Sequence, residues 1–200
     1  MMVQGVSISE MMSQSTTVLT KPSVESFEQY ERRGGQREGL TYVVVGAAVA
    51  GVVALLFGLL GGIVSALVFG LAAFLGPIIG YYVFSYVVFL MGKNQGGTGT
   101  QDEVFYSTSL YVAPLAAIVG AVSNIPIIGC IALPVTFALG IYQIYLGYLA
   151  TRSSMNLDQN KAIITVLVAY VAQFVVGLTI GGVVAAITLG GAAASGALNQ

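Results

Sequence analysis

The side chains that most often carry chemistry are scarce in this sequence. Among its 200 residues there is no histidine and a single cysteine, Cys130. No Ser-His-Asp or Cys-His arrangement can form, and the usual side chain for metal binding and for proton transfer near neutral pH is missing. No carboxylate pair lies inside an apolar stretch, which leaves general acid–base chemistry without candidates there. One cysteine cannot close an internal disulfide, and Cys130 reads as a small apolar packing residue. The segment from Gly92 to Glu103, GKNQGGTGTQDE, is glycine-rich. It lacks the spacing of a phosphate-binding loop and the Lys-Ser pair that follows one, so it reads as a flexible connector. The expectation is a protein that is not an enzyme, with no catalytic, cofactor-binding or metal-binding residues.

The remaining polar side chains suggest packing roles. Tyr81, Tyr82 and Tyr86 in one apolar stretch, and Tyr142, Tyr145 and Tyr148 in another, sit near the charged ends of those stretches. Some belong to an interfacial aromatic belt, and the deeper ones belong to the core. Gln173 falls on a ladder of small residues and needs a hydrogen-bond partner there, for which Gln143 is the candidate.

The elements that would position these residues follow from composition. Hydrophobic residues make up 56% of the chain and charged ones 8%, with a mean hydropathy of +0.89. Ordinary soluble domains carry about 25% charged residues. From Gly39 to Gly92 there is no Asp, Glu, Lys, Arg or His, and long uncharged runs recur after Glu103 and after Lys161. A helix crossing a bilayer needs about 20 apolar residues. The first run therefore holds two spans, Leu40 to Leu60 and Ile63 to Met91, divided at Gly61 and Gly62. The second, Val104 to Ala150, holds two more on either side of a turn at Ser123 to Pro126. The third, Ala162 to Leu189, holds one. The fold class is all-α, a polytopic membrane bundle of five transmembrane helices. Residues 1–38 form a polar N-terminal tail, 39–189 the transmembrane domain and 190–200 a short C-terminal tail.

The basic residues Lys21, Arg32, Arg33, Arg37, Lys93, Arg152 and Lys161 all fall on one side of a five-span arrangement, which the positive-inside rule places in the cytoplasm. The N-terminus is then cytoplasmic and the C-terminus extracytoplasmic. In the tail, Val24, Phe27 and Tyr30 would share one face of a short helix between Pro22 and Arg33, either lying on the membrane or fraying as a linker. Glu28 and Arg32 are spaced as a helical ion pair there. The N-terminus lacks the charged and apolar regions of a secretory signal. With a formal charge of -1 no surface suits a nucleic-acid backbone. Two ladders of small residues, Gly46-Ala50-Ala54-Gly58 and Ala169-Gln173-Gly177-Gly181-Ala185, mark faces for close helix packing. No span holds an ionisable Asp, Glu, Lys, Arg or His, which argues against an ion-coupled pump.

The pattern Tyr111, Ala113, Pro114, then Ile125, Pro126 and Gly129, then Tyr142 and Tyr145, then Leu157, Lys161 and Ala162 resembles the Yip domain family, the Ypt/Rab-interacting membrane proteins. The resemblance extends from about Pro22 to Leu189. It implies five clustered spans, a cytoplasmic N-terminus and, in eukaryotic members, a role in vesicle traffic with prenylated Rab GTPases and other Yip-type proteins as partners. This chain's tail is much shorter than theirs, so GTPase binding is not carried over. Its compact form is similar to bacterial members, which would place it in the plasma (inner) membrane. The functional expectation is a non-catalytic membrane scaffold or adaptor, in contact with the lipid bilayer and able to self-associate or join other membrane proteins. The alternative is a small-solute channel or carrier.

Overall fold

The computed structural model describes residues 5–198. The secondary structure among them is helical: α1 (Ile8–Thr20), α2 (Val24–Glu28), α3 (Gln36–Gly58), α4 (Ile63–Asn94), α5 (Gln101–Asn124), α6 (Ile128–Ile131), α7 (Leu133–Met155) and α8 (Gln159–Leu198). Five helices are long and apolar enough to cross a membrane. The all-α five-span bundle expected from the uncharged runs is therefore the observed architecture. A 3-10 turn, Leu59–Gly61, and Gly62 at φ 97° link α3 to α4. A side chain rarely adopts that backbone conformation, so the residue at this division has reason to be glycine.

The third span, α5, is the axle. Its most apolar window is 56% buried, against 17–33% for the other four spans. It also has a lower hydropathy than α3, α4 or α8. A helix enclosed by protein can carry Ser107, Thr108 and Ser109, all buried, whereas lipid-facing helices cannot do so cheaply. α3 lies closest against it. A Cβ added to Gly46 would stand 2.2 Å from the Ala113 carbonyl oxygen, and one added to Gly120 would stand 2.4 Å from the Ala50 Cβ. Backbones this near are what small-residue ladders permit. The same ladder joins α3 to α4, where Gly58 abuts the Ala66 Cα at 2.7 Å by the same measure.

The ladder on α8 behaves differently. Ala169 is buried and Gln173 lies against Gly80 of α4, but Gly177 and Gly181 have nothing within 4 Å. Among the described residues, these two glycines in the outer half of the ladder meet no other helix. Gln173 also lacks the expected contact with Gln143: its Oε1 is buried without a partner, and the Gln143 backbone carbonyl instead accepts from the Tyr170 hydroxyl at 2.9 Å. The gap between α7 and α8 is the reason, a lateral cleft of about 790 Å³ lined by both glutamines. Cys130 lies in α6, where it is exposed rather than packed.

Before the first span, the chain is more ordered than a tail. α1 opens with a capping box in which Ser7 and Glu10 satisfy each other's backbone N–H groups. Met11, Gln14, Ser15 and Val18 form its buried face, laid on α5. α2 is shorter than the helix expected between Pro22 and Arg33, and Phe27 turns inward to meet Tyr111 of α5 edge to face. The face made by Val24, Phe27 and Tyr30 is thus covered by protein. Glu28 does not pair with Arg32, whose guanidinium is taken by Glu31 and Glu103. Residues 1–4, in the expected tail, and 199–200, in the expected C-terminal tail, lie outside the described residues. α8 itself continues past Leu189 to Leu198.

Candidate functional site

Six of the seven basic residues lie at one end of the bundle, where α3, α5 and α8 begin and α4 and α7 end; the seventh, Lys21, caps the end of α1 beside Leu19, which meets Tyr142 about 15 Å along α7 from Arg152. Three segments converge there: the arm formed by α1 and α2, the connection from α4 to α5, and the connection from α7 to α8. Several of their polar groups are bonded across the segments.

Three tyrosines hold the arm along the bundle. Tyr106 donates to the Gln14 carboxamide oxygen at 2.7 Å, Tyr42 to the Ser15 hydroxyl at 3.1 Å, and Tyr142 to the Leu19 carbonyl at 2.7 Å. The depth of Tyr142, too great for an interfacial ring, is explained by that last bond. Tyr81 is likewise buried and donates to the Phe105 carbonyl at 2.9 Å, while Tyr82, Tyr86 and Tyr145 keep a little under half of their surface exposed, as rings of a belt can, and Tyr82 also accepts from Gln36.

Beyond α2 the arm is latched by charge. Glu31 is buried, and its Oε2 accepts from the Ser153 hydroxyl of α7 at 2.7 Å. The Arg32 Nε donates to Glu103 Oε1 at 3.0 Å and stands 3.7 Å from Glu31 Oε1. Burial raises the Glu31 carboxyl above the usual range; the Ser153 bond opposes this, Glu103 adds to it, Arg32 opposes it, and Glu28 adds again. Gly34 and Gly35 then turn the chain into α3. The Gln36 N–H donates to Asp102 at 2.9 Å and the Gly35 N–H to Glu38 at 3.0 Å, so two acids occupy the positive N-terminus of α3. A polar hollow of about 430 Å³ lies between this turn and the start of α5.

The connection from Gly92 to Glu103 is not the flexible linker expected. The Gly97 N–H donates to the Gly92 carbonyl at 2.8 Å and the Thr98 N–H to the Met155 carbonyl at 3.1 Å. A Cβ on Gly99 would fall 1.6 Å from the Ser154 carbonyl oxygen, so the glycines let this loop lie against the end of α7. Gln95 donates to Thr165 at 3.0 Å, Asn156 to Thr98 at 3.1 Å, and Thr100 with Glu103 caps α5. The result is a ordered polar platform. At the other end the described connections are the turn through Gly61 and Gly62 and the segment from Ile125 to Ala132 that contains α6. Among the described residues no group of three or more His, Cys, Asp or Glu is arranged to hold a metal.

Compared with protein families, the chain matches the Yip1 domain over residues 16–193, which includes α2 and all five spans. It belongs to the Yip1 family. No curated protein and no solved structure matches it. As a Yip1-family chain with five membrane-crossing helices it is an integral membrane protein, and the family is one of non-enzymatic membrane proteins. Glu31, Ser153, Asp102 and Gln36, which join the platform together, had no signature in the sequence, because each bond links segments far apart along the chain.

Proposed function

We propose that this Yip1-family protein is a non-catalytic membrane scaffold that presents the platform at its base-bearing end, in the cytoplasm, to partner proteins. The observation that carries this reading is the arm. A connector would be free to move, whereas here α1 and α2 are bonded to α3, α5 and α7 and, with two ordered connections, build a surface of fixed shape. Preformed surfaces bind without the ordering cost that mobile segments incur. The orientation rests on the basic residues at that end of the bundle.

Photocrosslinkers at the exposed positions Gln29, Asn94 and Asn156, compared with Asn124 at the opposite end, test the reading in cells. Capture at the first three and not at Asn124 is the expected result. Partners captured only at Asn124 overturn it. The carrier reading has its own support in the cleft between α7 and α8, which holds Gln143 and Gln173. Its test is solute flux through purified protein in liposomes, expected to match protein-free vesicles if the scaffold reading is right.

A further inference from the structure

Two carboxamides near the middle of the membrane have no hydrogen-bond partner among the described residues. Gln143 lies about 14 Å from Arg152 along α7, and Gln173 about 18 Å from Lys161 along α8, in a hydrocarbon core about 30 Å thick. Both line the lateral cleft between those helices. The bond at Gln143 is made by its backbone carbonyl, not its side chain, and Gln173 Oε1 is buried without a partner. The bilayer core holds no water to serve such groups, so a partner has to come from protein or from the membrane itself.

The rest of the cleft is largely apolar. Phe137 and Ile141 of α7 and Phe174 of α8 line it with exposed side chains, and no acidic or basic residue does. Its volume, about 790 Å³, falls within the range of about 300–1,000 Å³ typical of small-molecule sites. The cleft narrows toward the glutamines. There the Tyr170 hydroxyl reaches the Gln143 carbonyl at 2.9 Å and ties α8 to α7, whereas farther out Gly140 and Gly177 have nothing within 4 Å of a Cβ position. A helix, about 10 Å across, cannot enter an apex bridged in this way. A single hydrocarbon chain can.

The hydrogen-bonding capacity of the site narrows the chemistry further. Gln173 Nε2 lies 2.8 Å from where a Cβ on Gly80 would stand, in space that a side chain there would take. The terminal torsion of glutamine is soft, so a half-turn exchanges Nε2 with Oε1, and the carboxamide offers a donor or an acceptor at the same place. The smallest group that serves two carboxamides is a hydroxyl, which donates one hydrogen bond and accepts others. An occupant that enters through the lateral opening also has to carry no charge to that depth. A phospholipid headgroup fails this condition, and an uncharged alcohol meets it.

We propose that the α7–α8 cleft binds an uncharged long-chain alcohol from the membrane, with its hydroxyl between Gln143 and Gln173 and its chain over Phe137, Ile141 and Phe174. Holding such a lipid is a property apart from the scaffold and carrier readings, since it requires neither a partner protein nor flux. A hydrogen bond within a membrane is worth a little under about threefold in preference, and two together about eightfold.

The test uses the full chain in phosphatidylcholine vesicles with hexadecanol that carries a diazirine in its chain. Photolabelling at a fixed ratio of probe to protein, mapped by mass spectrometry, should fall on residues 136–144 of α7 and 170–177 of α8. The methyl ether of the probe accepts but cannot donate, and should label about threefold less. The variant Q143M/Q173M should be labelled about eightfold less by the alcohol, and equally by alcohol and ether. An unlabelled isoprenoid alcohol and a diacylglycerol compete in separate arms. Displacement by either supports the proposal and identifies the source of the hydroxyl; displacement by neither, nor by unlabelled hexadecanol, overturns it. Equal labelling of the unaltered protein by alcohol and ether also overturns it, since the cleft then takes any chain, as does label mapped elsewhere. Labelling that falls as copies per vesicle increase overturns it too, by assigning the cleft to a second copy of this chain. Should the double variant misfold, the comparison of alcohol with ether on the unaltered protein decides the matter.

Discussion

Two glycines in similar ladders should respond in opposite ways to the same substitution. Gly46→Ala places a methyl 2.2 Å from the Ala113 carbonyl oxygen, with the Ala113 carbonyl carbon at 2.9 Å, so the obstruction is backbone of α5 rather than a movable side chain. Ordinary contact begins near 3.4 Å, so α3 and α5 must separate locally by about 1.2 Å, the difference between 3.4 and 2.2. Overpacking of this kind costs about 1–3 kcal/mol. Because α3 also holds Ala50 against Gly120, the separation loosens a second contact and puts the expected loss at the upper end of that range. Gly177→Ala on α8 meets nothing within 4 Å. There the change should be neutral, or stabilising by up to about 1 kcal/mol through better helix propensity. Unfolding of purified protein in detergent, followed by loss of helicity as SDS is increased, measures both. Equal midpoints for the two variants would refute the assignment of α5 as the axle against which α3 is wedged.

Further outcomes follow from the platform. Because Glu31 is raised by burial, its neutral form favours the docked arm, so docking is firmest below the ordinary glutamate value of 4.5 and weakens as pH rises through the raised folded value. Glu31→Gln should remove that pH dependence, measured as the distance between spin labels on Gln29 and Asn156. Gly99→Ala cannot be fitted against Ser154 and should displace the connection between α4 and α5, seen as faster amide exchange from Gly97 to Thr100 without loss of the spans. Tyr142→Phe loses the bond to Leu19 and should weaken arm docking by about 1 kcal/mol, read as increased protease cleavage within α1. In a Cys130→Ser background, cysteines at Asn94 and Asn156 should resist an impermeant label added outside cells while Asn124 reacts; labelling of the first two from outside would reverse the orientation.

The five spans were legible because lipid imposes a length and a composition that few other structures share, and uncharged runs report both directly. Helix ends were less so. The span starting at Gln101 includes Asp102 and Glu103, which look like loop by charge but are first-turn acids of α5. Local patterns could have located two helix starts: Ser7 with Glu10, and Thr100 with Glu103, each have the spacing of a capping box. The small-residue ladders showed which faces could pack and were silent on what would meet them, so Gly46 and Gly177 look alike in sequence. The platform was not legible. Its bonds join Glu31 to Ser153 and Gln36 to Asp102, and pairings of that range have no periodicity to reveal them.

The arm is made first and seated last. Leu19 meets Tyr142 across 123 positions and Glu31 meets Ser153 across 122. When α1 leaves the ribosome, the surface that will receive it does not yet exist, and it is complete only once the fourth span has entered the bilayer. Until then Met11, Val18 and Phe27 have no home and are open to chaperones or to other apolar surfaces. A seated arm is therefore a mark that the first four spans are in place, and any factor that recognises it distinguishes such copies from those at an earlier stage.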